Sequence, residues 1–246
     1  MVRLRAYLLS APLIILCTIM FGTVSVLVSL FDKTGDTQIR VARWWSRLLL
    51  VVSGVHVTVE GLEHIDPNGS YVLASNHASY MDTPVVMGNI PLQFRFLAKR
   101  GLFTIPFIGT HLTQAGHIPV PREDPRASVK SMQLAAETIQ QRKISMLVFP
   151  EGGRSEDGVL QAFKEGGAYI AIRAGVPLVP LVLIGTRNIL PMHSGMVRSG
   201  HVTVRVLPPL STEGMTLKDR GKLTEQMHGL IAAELGVGEV VGREIA

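Results

Sequence analysis

The order of apolar segments in this chain predicts a layered α/β domain, a central mostly parallel or mixed sheet flanked by helices, preceded by N-terminal membrane-associated helices. Three observations carry that prediction. No charged residue occurs from Ala6 to Phe31. Beyond Gly54, strand-period and helix-period segments alternate, as they do where helices cover a sheet. Hydrophobic residues fill 47% of the 246 positions and charged residues only 17%, against about 25% in ordinary soluble domains. The chain accordingly divides into a membrane anchor with an interfacial helix, residues 1–53, and an α/β domain, residues 54–246.

At about 20 apolar residues per bilayer crossing, Ala6 to Phe31 is long enough to span a membrane or to embed deeply in one. Gly22 and the hydroxyls around it leave a bend open. Arg3 and Arg5 precede the run, but it is too long for a signal-peptide core and ends at no clear cleavage site, so it is read as a retained anchor. Lys33, Arg40, Arg43 and Arg47 follow, and the positive-inside tendency then places the downstream domain on the cytoplasmic side of the cell membrane. Arg40, Arg43 and Arg47 share one helical face, with Val41, Trp45, Leu48 and Val52 opposite. That pattern suits an interfacial helix with Trp44 and Trp45 at headgroup level, or a helix packed on the protein's own core.

Val55, Val57 and Val59 alternate with polar residues, a half-buried strand. Asp66-Pro67-Asn68-Gly69 is a turn, and Tyr71 to Ser75 a short buried strand. Thr83-Pro84 reads as N-cap and first residue of a helix starting just after Asp82, and Asp124-Pro125 opens a second helix with Val129, Met132, Ala136 and Ile139 as its apolar stripe. Ile144 to Phe149 is a strand, Phe163 to Ala174 a helix ending at Gly175, and Leu178 to Ile184 a strand in which Pro180 argues for an edge or a bend. His201 to Leu207 alternates as a strand, and Leu217 to Leu235 is an amphipathic helix.

Net charge is +5 and the isoelectric point about 9.6, which favours anionic partners. Aromatic content is 6% and no nucleic-acid motif is present, so lipid rather than nucleic acid is the expected partner. Mean hydropathy of +0.31 agrees with a membrane-lipid surface. The single cysteine, Cys17, excludes an intrachain disulfide and a cysteine-based zinc site. The chain carries no H-E-x-x-H, no G-x-x-x-x-G-K-[ST] and no G-x-S-x-G, and Gly236-Val237-Gly238 has neither the preceding strand nor the third glycine of a dinucleotide site.

The residues with the most chemical content are His77 and Asp82, with four residues between them in Asn76-His77-Ala78-Ser79-Tyr80-Met81-Asp82. On one continuous helix they would point about 140° apart and never meet. With His77 at a strand exit and Asp82 at a helix start, the carboxylate accepts from Nδ1–H and Nε2 is left as a base. No nucleophile motif adjoins them, so the attacking hydroxyl belongs to a substrate; the bland alternative is Asp82 as a local cap. Phe149-Pro150-Glu151-Gly152-Gly153-Arg154-Ser155 joins a carboxylate, two glycines and an arginine in one turn, where backbone can approach a ligand closely and Arg154 can hold a phosphate through two nitrogens. Gly116 to Arg122 places a second arginine after a short strand, and Lys99-Arg100 adjoins the apolar stretch Leu102 to Gly109.

Taken in order, these segments resemble the glycerolipid acyltransferases typified by 1-acylglycerol-3-phosphate acyltransferase, whose blocks run N-H-x4-D, Gly…Arg, F-P-E-G-T-R-S and V-P-x-x-P. Here they are Asn76 to Asp82, Gly116 to Arg122, Phe149 to Ser155, and Val176 to Pro180, within a resemblance covering about Gly54 to Pro209. Gly153 stands where the family usually has threonine, and Gly101 where members often carry a polar residue. The resemblance implies acyl transfer from acyl-CoA or acyl carrier protein to the sn-2 hydroxyl of lysophosphatidic acid, with no metal and no cofactor. It implies His77 and Asp82 as the catalytic pair, and Lys99, Arg122, Glu151, Gly152 and Arg154 as acceptor-binding residues. Val176 to Leu181 is either an apolar wall of the site or a core strand. A different acceptor, such as a lyso-ornithine lipid or another lysophospholipid, and a non-catalytic lipid-binding module are the competing expectations.

Overall fold

The computed structural model describes residues 11–244; Arg3, Arg5 and the start of the charge-free run lie outside the described residues. Seven strands form one mixed sheet: β1 (Val55–Glu60), β2 (Val72–Ser75), β3 (Phe94–Lys99), β4 (Ile118–Val120), β5 (Ser145–Val148), β6 (Leu178–Ile184) and β7 (Gly200–Val206), in the spatial order β1-β7-β6-β2-β5-β3-β4. The run from β6 to β4 is entirely parallel, so those strands deliver their carboxyl ends to one edge. Only the β6–β7 pair is antiparallel, and β1 joins β7 in parallel.

The central strands are apolar on both faces because both are covered. Leu73, Val179, Leu181 and Leu183 face one layer, formed by α2 (Asp36–Ser53) and α3 (Asp82–Asn89). Val72, Ala74, Leu178 and Val182 face the other, formed by α5 (Pro125–Arg142), α6 (Gly166–Ala174) and α8 (Arg220–Glu244). Asp124 caps α5 as expected, accepting from the backbone N–H groups of Arg126 and Ala127. The remaining helices are α1 (Ala11–Val28), α4 (Ile108–Gln114) and the short α7 (Thr186–Ile189).

Several expectations need correcting. Pro180 does not mark an edge, since β6 lies between β7 and β2. It precedes the first β6–β7 pair, Leu181 with Val206, and its carbonyl still accepts from Leu207 N–H, so the missing donor falls at the end of a ladder. Of Val176 to Leu181, the residues from Leu178 on belong to the buried core strand β6 and not to a wall of the site, and Val176 and Pro177 lead into it. The helix expected from Phe163 begins instead at Gly166, because Gln161 and Lys164 give their N–H groups to Glu151 and to the Pro150 carbonyl. Strand β3 and helix α4 had no sequence expectation.

The N-terminal region is a helical hairpin. Asp32 accepts from Thr34 and Thr37 at its tip, and Gly35 adopts φ 80° against Ala115. Helix α1 runs unbroken through Gly22, and no helix among the described residues is long and apolar enough to cross a membrane. Its outward side chains Ile15, Leu16, Ile19 and Leu27 are all more than half exposed. Arg40 stays exposed, but Arg43 and Arg47 of the arginine face of α2 reach across to the chain around α3. Arg43 donates to the carbonyls of Met87, Ile90 and Leu92, and Arg47 to that of Gly88, so the guanidinium groups satisfy the carbonyls that α3 leaves open at its C-terminus. Ile39, Leu49 and Leu50 share the core of the sheet layer. Arg95, fully buried in β3, pairs with Asp36 at 2.6 Å, and Arg142 joins the same carboxylate at 2.9 Å.

Candidate active site

Parallel strands place the loops after their carboxyl ends side by side, the usual position of a site in such a sheet. Here those loops carry His77 after β2, Glu151 to Arg154 after β5, and Arg122 after β4, with Lys99 ending β3 itself. Asn76 anchors the first loop by copying a strand rung: its amide accepts from Leu183 N–H at 2.8 Å and donates to the Leu183 carbonyl at 2.9 Å.

The turn from β2 into α3 brings His77 Nδ1 to 2.8 Å from Asp82 Oδ2. That oxygen also accepts from the N–H groups of Ala78 and Ser79, each at 2.8 Å, so the loop is wound around one buried carboxylate. Asp82 is the partner of His77 and also satisfies the loop's own backbone donors, which precede α3, so it caps no helix. As the carboxylate only accepts, Nδ1 carries the hydrogen and Nε2 presents a lone pair. His77 stacks on Phe149 with centroids 3.8 Å apart. Burial pushes the imidazole below its usual 6.5; Asp82 opposes the shift, and the charges of Arg154 and Arg122 add to it. The ring is therefore neutral near pH 7, as a base must be.

Glu151 holds the loop from the other side. Its Oε1 accepts from His77 N–H at 2.5 Å and its Oε2 from Gln161 N–H at 3.0 Å, while Ser155 N–H donates to the His77 carbonyl at 2.8 Å. Burial pushes the Glu151 carboxyl up in spite of those donors. The role expected of Glu151 was acceptor binding; in the fold both its oxygens accept from backbone, and one of those bonds holds the His77 loop. Gly152 sits at φ 77° with Lys164 packed over it, so a Cβ there would lie 2.8 Å from Lys164 Nζ. At Gly153 a Cβ would meet nothing within 4 Å.

Arg154 is half-buried, with its guanidinium 3.9 Å above the Tyr80 ring. Its Nε is buried without an acceptor. The structure thus joins His77, Asp82 and Glu151 by hydrogen bonds, sets Gly152 and Arg154 in the turn that follows Glu151, and brings Arg154 and Arg122 near enough for their charges to act on His77. Lys99 is exposed at the same edge and touches none of them. The parts sequence reasoning missed are Asn76, Tyr80 and Phe149. His117, given no role there, is buried and accepts from Phe96 N–H at 2.8 Å. Among the described residues no cluster of His, Cys, Asp or Glu is arranged to hold a metal ion.

Behind Phe96 lies an apolar cavity of about 310 Å³ between the N-terminal hairpin, α3 and α4, with Phe21, Trp45, Met87 and Leu112 among its lining. On the other side, an open pocket borders Glu151, Gly153, Arg154 and Asp157.

Comparison with known proteins agrees with this geometry. A family model described as Acyltransferase matches residues 56–184. The 1-acyl-sn-glycerol-3-phosphate acyltransferase of Limnanthes douglasii is 32% identical over 188 residues, 76% of this chain and 66% of that one. The human 1-acyl-sn-glycerol-3-phosphate acyltransferase alpha is 33% identical over 174 residues, 71% of this chain and 62% of that one, so the chain spans just under two thirds of these relatives. The crystal structure of the 1-acyl-sn-glycerophosphate (LPA) acyltransferase PlsC from Thermotoga maritima superposes with a TM-score of 0.76 at 22% identity, covering 96% of this chain and 97% of that one, and shares its fold. Because the matched segment is just over half of the chain and holds both the histidine loop and the arginine turn, this chain belongs to the acyltransferase family.

Proposed function

We propose that this chain transfers an acyl group from acyl-CoA or acyl carrier protein to the free sn-2 hydroxyl of 1-acylglycerol-3-phosphate, making phosphatidic acid. The observation that carries the reading is the buried His77–Asp82 bond with Arg154, whose Nε has no acceptor, close enough for its charge to act on His77. The names of the curated relatives support the same acceptor.

In this scheme His77 Nε2 takes the hydroxyl proton as the oxygen attacks the thioester carbonyl. Asp82 holds the tautomer and stabilises the imidazolium. The N–H groups of Gly153 and Arg154, which have no acceptor in the fold, are suited to the oxyanion. When the C–S bond breaks, the thiolate takes the proton back from His77. Arg154 and Arg122 bind the acceptor phosphate, with Lys99 at its outer side. An acyl chain fits the apolar cavity behind Phe96. The exposed face of α1 and the positive charge of the chain suit a protein held on the cell membrane with its catalytic domain on the cytoplasmic side.

The room beside Gly153 favours one second reading, a lysophospholipid acceptor with a bulkier headgroup such as a lyso-ornithine lipid. An acceptor panel run with one acyl-CoA and one acyl carrier protein tests both readings. Phosphatidic acid as the preferred product supports the first. Preference for a larger headgroup supports the second, and no transfer to any acceptor contradicts both.

A further inference from the structure

The segment between β3 and α4 is unusual in its backbone and in what it shows to solvent. Ile108 N–H bonds back to the Pro106 carbonyl at 2.7 Å, closing a three-residue turn around Phe107 at φ 63° and ψ −52°. That conformation is the rare, strained hand of the γ-turn, and a bulky side chain seldom adopts it. The turn is fixed from beneath: Gly109 N–H donates to the Ile105 carbonyl, and a Cβ on Gly109 would fall 2.0 Å from the Phe103 carbonyl oxygen. Its result is to hold the Phe107 ring outward, 70% exposed, with Leu102, Ile105 and Ile108 exposed around it.

Leu102, Phe107 and Ile108 also line the apolar cavity, together with Thr18, Phe21 and Ser25 of α1. That cavity is therefore walled by α1 on one side and by this turn on the other. Lys99 and Arg100, both exposed, stand where the segment begins. An apolar tip with cations at its base matches a bilayer carrying anionic headgroups, the tip entering the acyl region and the cations meeting phosphates.

We infer that the β3–α4 turn is a second membrane contact, in which Phe107 inserts into the bilayer beside α1 and opens the cavity to acyl chains from the lipid phase. This rests on the acyl-transfer reading only for the use of the cavity; the insertion is independent of it.

The test labels position 107 of the full chain with an environment-sensitive fluorophore, in the Cys17→Ser and Phe107→Cys double variant. Vesicles of phosphatidylcholine with about one quarter phosphatidylglycerol carry quenchers on the lipid chains. Glu137→Cys, on the far helix α5, is the control, and co-sedimentation reports binding of each protein. Insertion gives a blue-shifted probe at 107, quenched several-fold more than the probe at 137. A probe at 107 that behaves like the control on sedimented protein overturns the inference, as does a chain that fails to bind these vesicles. A second variant, Phe107→Asp, folds because the ring is exposed, and its vesicle partition coefficient is expected to drop about tenfold; an unchanged coefficient also overturns the inference. If the acyl-transfer reading fails instead, the unmodified chain turns over no thioester while the quenching at 107 persists.

Discussion

Replacing Asp82 by asparagine removes one charge from the buried pair and changes little else in shape. The amide oxygen in the place of Oδ2 can still accept from the Ala78 and Ser79 N–H groups and from His77 Nδ1–H, so the tautomer with a lone pair on Nε2 is kept. His77 loses the negative charge that raised its pKa and becomes a weaker base. The imidazolium of the transition state also loses a carboxylate at 2.8 Å. At an effective dielectric of about 20, that attraction is about 6 kcal/mol, and with about 1.4 kcal/mol per decade kcat should fall by about 10⁴. The assay is thioester release from acyl-CoA, followed with a thiol reagent, at saturating acceptor in detergent micelles. In the unmodified enzyme kcat/KM falls as pH drops through a His77 pKa lying below 6.5, since the base must be neutral. In Asp82→Asn the acid limb moves lower still, because the carboxylate that raised the pKa is gone. A variant with kcat within tenfold of the unmodified enzyme would refute the reasoning.

Arg154→Ala should lower kcat/KM for the phosphate-bearing acceptor by about 10- to 100-fold through loss of charge-assisted hydrogen bonds, while KM for the thioester stays put; a change confined to the thioester contradicts the assignment. Arg95→Ala leaves Asp36 with Arg142 alone and opens a hole in β3, and should lower the unfolding free energy by about 3–5 kcal/mol in urea titrations; a loss below about 1 kcal/mol would show that the pair is dispensable. Burial holds His111 at about 4 in the folded chain, against 6.5 when unfolded. Between those values the unfolded state takes up a proton that the folded state refuses, so stability should drop by up to about 3 kcal/mol as pH falls from 6.5 to 4, with the buried His117 acting in the same direction. His111→Gln should flatten the dependence of the urea midpoint on pH; an unchanged slope argues against His111 as its source.

What the sequence made legible is what depends on local pattern. Strands β2, β5 and β6 read as apolar runs because both faces of the sheet are covered, and Asp124 as a cap because its partners lie two and three residues on. The His77–Asp82 relation was readable because the turn that joins them lies between them. The rest hangs on partners distant in the chain. Strand β3 was hidden by Arg95, whose charge is tolerated only because Asp36, 59 positions earlier, is folded against it. The arginine stripe of α2 looked like a surface face because the carbonyls it satisfies end a helix more than 40 positions away. The bond from His77 N–H to Glu151 was unreadable because nothing in its own block shows that β2 and β5 are neighbours, which is what brings the two together. Asn76 was unreadable for the same reason: its rung is on β6, 107 positions on.

The purified full chain in detergent, given an acyl thioester and 1-acylglycerol-3-phosphate, provides the most direct measurement, with phosphatidic acid quantified for the unmodified enzyme and for His77→Ala. The unmodified chain should turn over steadily, and the variant should lose at least about 10³ of that rate once its base is gone. Formation of phosphatidic acid by His77→Ala at the unmodified rate would contradict the account.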